Sequence, residues 1–213
     1  GKNEITFDKV TIDKAGTSTI TIDQAATANY GPATTLMTIR VDILSPNLSS
    51  PNYTVRYGDP AFSIINSITS SSSGTLVFGN GSSSNFNIDS SSGVVFLTSA
   101  GTASITILQN GDGCYGPGYI TPSLTVLKGF CTLTSGNVTK TFGDTNFVLD
   151  NVTTSSTGSY TFTTNPAGKV SINNTTSNTT ILQAGTTIVS VTQYSDSNYE
   201  SCTTSFNIII HRK

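Results

Sequence analysis

Three short strings recur along the chain at a nearly constant interval, and that interval constrains the fold more than any other feature. Ala15-Gly16-Thr17, Ala100-Gly101-Thr102 and Ala184-Gly185-Thr186 lie 85 and 84 residues apart. Each opens an alternating run that reaches a glutamine, and Gln24, Gln109 and Gln193 keep the same spacing. A tyrosine follows each glutamine six residues later, at Tyr30, Tyr115 and Tyr199. Upstream, Tyr57-Gly58-Asp59 with Phe62 matches Phe142-Gly143-Asp144 with Phe147 at a displacement of 85. A fixed period of this size marks one supersecondary unit used several times.

Lys213 lies 85 residues after Lys128, which places a repeat boundary at each. Counting back from the landmarks gives one partial repeat over residues 1–44 and two full ones over 45–128 and 129–213. The partial repeat has no counterpart of Gly58-Asp59 and represents only the C-terminal half of a unit. Within residues 45–128, apolar runs bounded by turn residues predict about seven short strands: 53–57, 62–68, 75–78, 86–88, 94–97, 104–108 and 123–127. Nearly a third of the residues are Ser or Thr and only 10% are charged, while helical periodicity is absent. These features predict an all-β fold of tandem immunoglobulin-like antiparallel β-sandwich domains. A unit of this length buries its own core, so the repeats behave as beads on a string.

The landmarks have physical roles at this level. Gly16, Gly101 and Gly185 precede a strand, where a tight connection favours a residue without Cβ. Gly58-Asp59 and Gly143-Asp144 read as turns in which the aspartate accepts from local backbone amides. A calcium site on those aspartates is the sharper alternative, although calcium takes several oxygen ligands and usually more than one carboxylate. The tyrosines are expected to pack against the core edge with the hydroxyl on nearby backbone, and stacking on a sugar is the alternative.

The string AGTSTITIDQAATANYGPATTLMTIRV, together with Tyr-Gly-Asp-Pro-Ala-Phe at 57–62 and Phe-Gly-Asp-Thr-Asn-Phe at 142–147, resembles the bacterial immunoglobulin-like repeats of the MBG and Big type. The resemblance extends over essentially the whole chain. It implies a stalk or fibre without attached chemistry, as in large secreted adhesins, gliding-motility surface proteins and some proteins of large DNA viruses. This sequence departs from the pattern in its cysteines, its alanine-poor second and third repeats and its truncated first repeat.

Cys131 and Cys202 fall near one end of the third repeat, and a disulfide between them is the expectation, with two buried thiols as the alternative. Such a bond closes a loop of about 70 residues and contributes on the order of 3–4 kcal/mol. Cys114 is left over in the loop 110–118 and is expected to be free. Glycosylation sequons stand at Asn47, Asn52, Asn80, Asn137, Asn151, Asn173, Asn174 and Asn178, a number close to chance for this composition. The half-repeat exposes strand edges. Either the missing strands lie upstream in a longer chain, or a neighbouring subunit supplies them in head-to-tail assembly by strand addition.

Chemistry finds little support. His211 is the single histidine and sits beside Arg212 and Lys213, and no nucleophile elbow, metal-ligand cluster or phosphate loop is present. An enzyme and a cofactor are not expected. With 10 basic and 12 acidic residues and no basic cluster, nucleic acid is excluded as a partner, and no apolar stretch is long enough to insert into a membrane. The expected partners are other copies of the chain or adjacent repeats. A second class is an adhesive module holding glycan or a host-surface protein through loops 110–118, 70–73 or 82–84, and a third is a virion surface component. All three place the chain outside the cell, on a cell surface or on a virion. Thr-rich alternation at 17–21 also suits an ice-binding face, but strand twist works against a flat lattice.

Overall fold

The computed structural model describes residues 9–81 and 83–213. It begins with an antiparallel hairpin of β1 (Gly16–Gln24) and β2 (Ala33–Val41), in register from Gly16 opposite Val41 to Gln24 opposite Ala33. A first sandwich follows, made of β3 (Tyr53–Arg56), β4 (Phe62–Ser63), β5 (Leu76–Gly79), β6 (Phe86–Ile88), β7 (Val94–Leu97), β8 (Gly101–Ser104), β9 (Thr106–Gln109), β10 (Gly118–Ile120) and β11 (Ser123–Leu127). The second sandwich comprises β12 (Leu133–Thr134), β13 (Val138–Thr141), β14 (Phe147–Val148), β15 (Thr153–Thr154), β16 (Tyr160–Asn165), β17 (Val170–Ile172), β18 (Asn178–Ile181), β19 (Gly185–Gln193) and β20 (Cys202–His211).

In the second sandwich one sheet runs β13-β20-β19-β16 and the other β14-β18-β17. Alternation along β19 and β20 turns Thr187, Val189, Val191 and Gln193, and Phe206, Ile208 and Ile210, into the interior. Leu149 and Val170 close the same core from the opposite side. The first sandwich repeats this arrangement, with Ile64, Phe86 and Val95 packed against Phe78, Ile105, Ile107, Leu124 and Val126. Each core is built from residues of its own sandwich.

Three details depart from the sequence expectation. One early strand of each sandwich pairs in parallel with the last, β3 with β11 and β13 with β20, so one sheet of each sandwich is mixed. The run 62–68 extends only through Ser63, because Ile65–Ser67 forms one 3-10 turn that buries Ile64 completely and bonds the Ser67 N–H and hydroxyl to its carbonyl. The strand expected over 104–108 is divided at Ile105. Opposite it stands Pro122, which has no N–H to continue the ladder, and only the Ile105 N–H to Pro122 carbonyl bond (3.0 Å) remains. Phe206 occupies the matching place in β20, and there β19 pairs without interruption over nine residues.

The ladders also set one equivalence between the two units. Leu127 lies opposite Arg56 and His211 opposite Thr141, so Lys213 corresponds to Gly129 and not to Lys128. The displacement is 85 in the first part of the unit, as between the buried pair Ile64 and Leu149, and 84 in the rest of it, as between Gln109 and Gln193.

Cys131, two residues before β12, is bonded to Cys202, the first residue of β20, with Cα atoms 5.7 Å apart. Cys114 is free and exposed. Gln193 is fully buried, and its amide donates to the carbonyls of Ser156 and Gly158, both at 2.9 Å, while its oxygen accepts from the Thr154 hydroxyl. Replacing Gln193 by Leu strands the buried Ser156 carbonyl, at about 1–3 kcal/mol, and the half-buried Gly158 carbonyl. Urea unfolding is expected to show Gln193→Leu destabilised by about 2–4 kcal/mol, whereas Gln24→Leu, at an exposed position on the hairpin, leaves the midpoint unchanged.

Candidate functional site: the joint between units

In each sandwich the glutamine opens a loop whose shape is set by a single carboxylate three residues on. Asp196 accepts at one oxygen from the backbone N–H groups of Asn198 (2.8 Å) and Tyr199 (2.7 Å). Its other oxygen accepts from the Ser156 hydroxyl (2.9 Å), the Thr157 N–H (2.8 Å) and the Thr157 hydroxyl (3.0 Å). Asp112 does the same, accepting from the Cys114 and Tyr115 N–H groups, the Ser72 and Ser73 hydroxyls and the Ser73 N–H. These donors hold both carboxyls well below the ordinary carboxylate range, the Tyr115 N–H contributing most to Asp112 and the Thr157 N–H most to Asp196.

The facing segment is equally constrained. A Cβ on Gly74 would lie 1.7 Å from the Asn110 carbonyl oxygen, and one on Gly158 would lie 1.9 Å from that of Tyr194. Ser-Ser-Gly at 72–74 and Ser-Thr-Gly at 156–158 therefore clamp the loop on one side, as the glutamine and aspartate do on the other. The hairpin loop shares part of this pattern. Thr27 N–H donates to the Tyr30 carbonyl (2.8 Å), as Asp112 does to Tyr115 and Asp196 to Tyr199 (both 3.1 Å), but threonine replaces the aspartate.

The rigid loops receive the chain arriving from the preceding unit. Beyond β11, Gly129 pairs in parallel with Tyr199, donating to the Asn198 carbonyl (2.8 Å) and accepting from the Glu200 N–H (3.0 Å). The Asn198 side chain accepts from the Ala100 N–H (2.9 Å), and the Lys128 ammonium donates to the Asp196 carbonyl (2.5 Å). The ring of Tyr199 meets that of Tyr57 edge-on, with centroids 5.3 Å apart. Arg56 donates to the Lys128 carbonyl (2.7 Å) and to Glu200 (3.0 Å) and lies 4.1 Å over the Phe130 ring. A Cβ at Gly129 would come within 2.5 Å of the Tyr57 carbonyl, so glycine is the residue that fits the crossing.

The junction between hairpin and first sandwich has the same plan. Leu44 pairs with Tyr115, donating to the Cys114 carbonyl (3.0 Å) and accepting from the Gly116 N–H (2.9 Å). Ala15 N–H donates to the Gly113 carbonyl (3.2 Å), and the Cys114 thiol donates to the Asp13 carbonyl at 3.5 Å. Leu44 stands where Gly129 stands in the other joint. No counterpart of Tyr57 exists among the described residues of the hairpin to crowd its side chain.

The landmark residues thus separate into two groups. Gly16, Gly101 and Gly185 have φ of 146°, 142° and 131°, and the first two lie beside the alanines whose N–H groups donate to the following unit. Tyr115 and Tyr199 sit at joints rather than on the edge of their own cores, and Tyr30 is 76% exposed. Gly58 and Gly143, at φ 93° and 101°, form the expected turns, in which Asp59 accepts from the Arg56 N–H (2.7 Å) and Asp144 from the Thr141 N–H (2.8 Å). Among the described residues no group of three His, Cys, Asp or Glu comes within reach of one metal ion. Loop 110–118, a candidate contact for glycan or protein, is occupied by the joint, and Ser70, Ser72 and Ser73 are engaged with Gln109 and Asp112. Loop 82–84 includes Ser82, which lies outside the described residues. Of the sequons, Asn80 and Asn151 are half-buried and donate their amides to backbone carbonyls, whereas Asn47, Asn52, Asn137, Asn173, Asn174 and Asn178 are exposed.

No protein-family model matches the chain, and no curated protein does. Among solved structures, the titin domains Z1Z2 in complex with telethonin superpose with a TM-score of 0.38 at 14% identity, over 81% of this chain and all of that one. Drosophila N-cadherin EC1-4 gives 0.36 at 13% identity, over 85% of this chain and 53% of that one. Drosophila N-cadherin EC1-3 gives 0.35 at 13%, over 76% and 65%. The chain spans less than two thirds of either cadherin fragment. The architecture is that of tandem immunoglobulin-like β-sandwiches. No described helix is long and apolar enough to cross a membrane.

A carboxyl with a folded pKa below its unfolded one stabilises the fold above the unfolded value and loses that contribution as pH falls through the folded one. Tyr199 resonances are accordingly expected to stay unchanged from pH 7 to about 4, the unfolded value, and to shift only in stronger acid. Asp196→Asn, which removes the charge at every pH, is expected to shift them already at neutral pH.

Proposed function

We propose that this chain is a structural segment of an extracellular fibre or stalk, built from repeats of the bacterial immunoglobulin-like type. The observation that carries this reading is the recurrence of one joint. Twice, the strand leaving one unit pairs with an Asp-braced tyrosine loop of the next, and twice the alanine of Ala-Gly-Thr donates to that loop. A connection rebuilt with the same donors at successive junctions sets unit against unit in a repeated manner, which a load-bearing spacer needs and an isolated binding domain does not. The repeats are assigned as 1–44, 45–128 and 129–213, and no catalytic role is assigned.

The hairpin fits the same reading as an incomplete repeat. In the second sandwich the corresponding strands β19 and β20 carry β16 and β13 on their outer edges. Among the described residues β1 and β2 pair only with each other, and Leu36 and Met37 are exposed. Strands from outside the hairpin would complete it, supplied by a neighbouring subunit in head-to-tail assembly or by upstream residues of a longer chain. The intact mass of native protein separates the two.

Small-angle scattering tests the spacer. A compact globule of this length has a radius of gyration of about 17 Å. A jointed rod is expected to exceed that value clearly, and Gly129→Val, which disturbs the crossing, is expected to broaden the distance distribution. A wild-type radius at the compact value would overturn the proposal.

A further inference from the structure

The far face of the second sandwich has the parts that the first sandwich uses to receive the next unit. Phe142 takes the place of Tyr57, Ala184 that of Ala100, Arg212 that of Lys128 and Lys213 that of Gly129. Together with Leu182 and Gln183 these residues line one shallow depression. Phe142 is 45% and Leu182 50% exposed, and the Ala184 N–H bonds no described residue. The equivalent groups of the first sandwich are covered, Tyr57 by Tyr199 and the Ala100 N–H by Asn198.

At the opposite end of the chain, the hairpin loop has the complementary parts. Asn29, Tyr30 and Gly31 stand where Asn198, Tyr199 and Glu200 stand in the second sandwich, one residue either side of the landmark tyrosine. The turn is the same, with Thr27 N–H on the Tyr30 carbonyl, and Tyr30 is largely in solvent. Asn29 can therefore offer its side-chain oxygen to an alanine N–H, Tyr30 its ring to an aromatic partner, and the backbone at Asn29 and Gly31 a parallel pairing. Those are the groups the depression presents.

We infer that the Phe142–Lys213 face docks the Ala25–Gly31 loop of a second copy of this chain. In this contact Tyr30 packs on Phe142, the Asn29 side chain accepts from the Ala184 N–H, and Lys213 pairs with the backbone beside Tyr30. Arg212 donates to the Thr27 carbonyl, as Lys128 does to that of Asp196. The inference rests on the array reading and names the surface by which arrays join end to end. It is separate from strand addition, which would use the outer edges of β1 and β2.

Sedimentation of the full chain tests it. A contact of one loop falls below the roughly 1,200 Å² of a stable interface, so concentrations up to about 1 mM are needed. The weight-average mass of the wild type is expected to rise past that of a dimer, while Tyr30→Ala and Phe142→Ala each remain monomeric. Mixed in equal amounts, the two variants are expected to form a dimer and stop, because each retains one working end. If either variant fails to fold by circular dichroism, Asn29→Ala replaces the first and Leu182→Ser the second. A monomeric wild type at all concentrations overturns the docking, and so does association indifferent to both substitutions, or a mixture that stays monomeric. Scattering from the dilute monomer reads the internal joints, so an extended monomer that never associates removes the docking alone and leaves the spacer reading in place.

Discussion

The order of this molecule depends on one buried amide and one ionised carboxylate per sandwich, three residues apart. Gln193 ties the loop opening after β19 to the carbonyls of Ser156 and Gly158, and Asp196 ties the next turn to Ser156 and Thr157. Charge-assisted bonds of this kind are about twice as strong as neutral ones. The five donors on Asp196 come from both sides of the loop, so the carboxylate fixes a conformation that its Ser- and Asn-rich sequence would leave open. Without that brace, pairing between Gly129 and Tyr199 would have to order the loop as it formed, at an entropic cost of about 1–2 kcal/mol per residue fixed. With it, the shelf exists before the preceding strand arrives.

The first sandwich shows how far the plan tolerates change. Ser72 and Ser73 replace Ser156 and Thr157, and both hydroxyls with one backbone N–H still reach Asp112. Leu44 replaces Gly129 because the Tyr57 carbonyl, which excludes a Cβ at the second joint, has no counterpart among the described residues at the first. The hydrogen-bonding backbone of the crossing is common to both joints, and the side chains around it follow local crowding.

Period and alternation made the architecture legible before any coordinates, since two sheets with inward Val, Ile and Phe follow from the runs around β19 and β20. The glutamines, tyrosines and Ala-Gly-Thr strings were legible as landmarks, but their joint role was not. A tyrosine in register looks the same from sequence whether it serves its own core or its neighbour's. The aspartates were readable in principle, because Gln-x-x-Asp-x-x-Tyr occurs at Gln109 and Gln193. Gln24 hides the pattern, since Thr27 stands at the aspartate position of the first loop. The interruption at Pro122 and the 3-10 turn after Ser63 escaped because an apolar run does not disclose which of its N–H groups find partners.

The loss of one residue between the two full units has a structural reason for being tolerated where it is. It falls after Ile64 and Leu149, which hold matching core positions, and before Ser72 and Ser156, which hold matching loop positions. The intervening segment crosses from one sheet to the other through exposed turns, with the 3-10 turn at Ile65–Ser67 in the first sandwich. A deletion within β19 would instead have inverted its alternation and turned Val189 and Val191 to solvent. Length therefore varies where the chain passes between sheets and is held constant from the serine pair through the glutamine, the aspartate and the tyrosine, the stretch on which the joint is built.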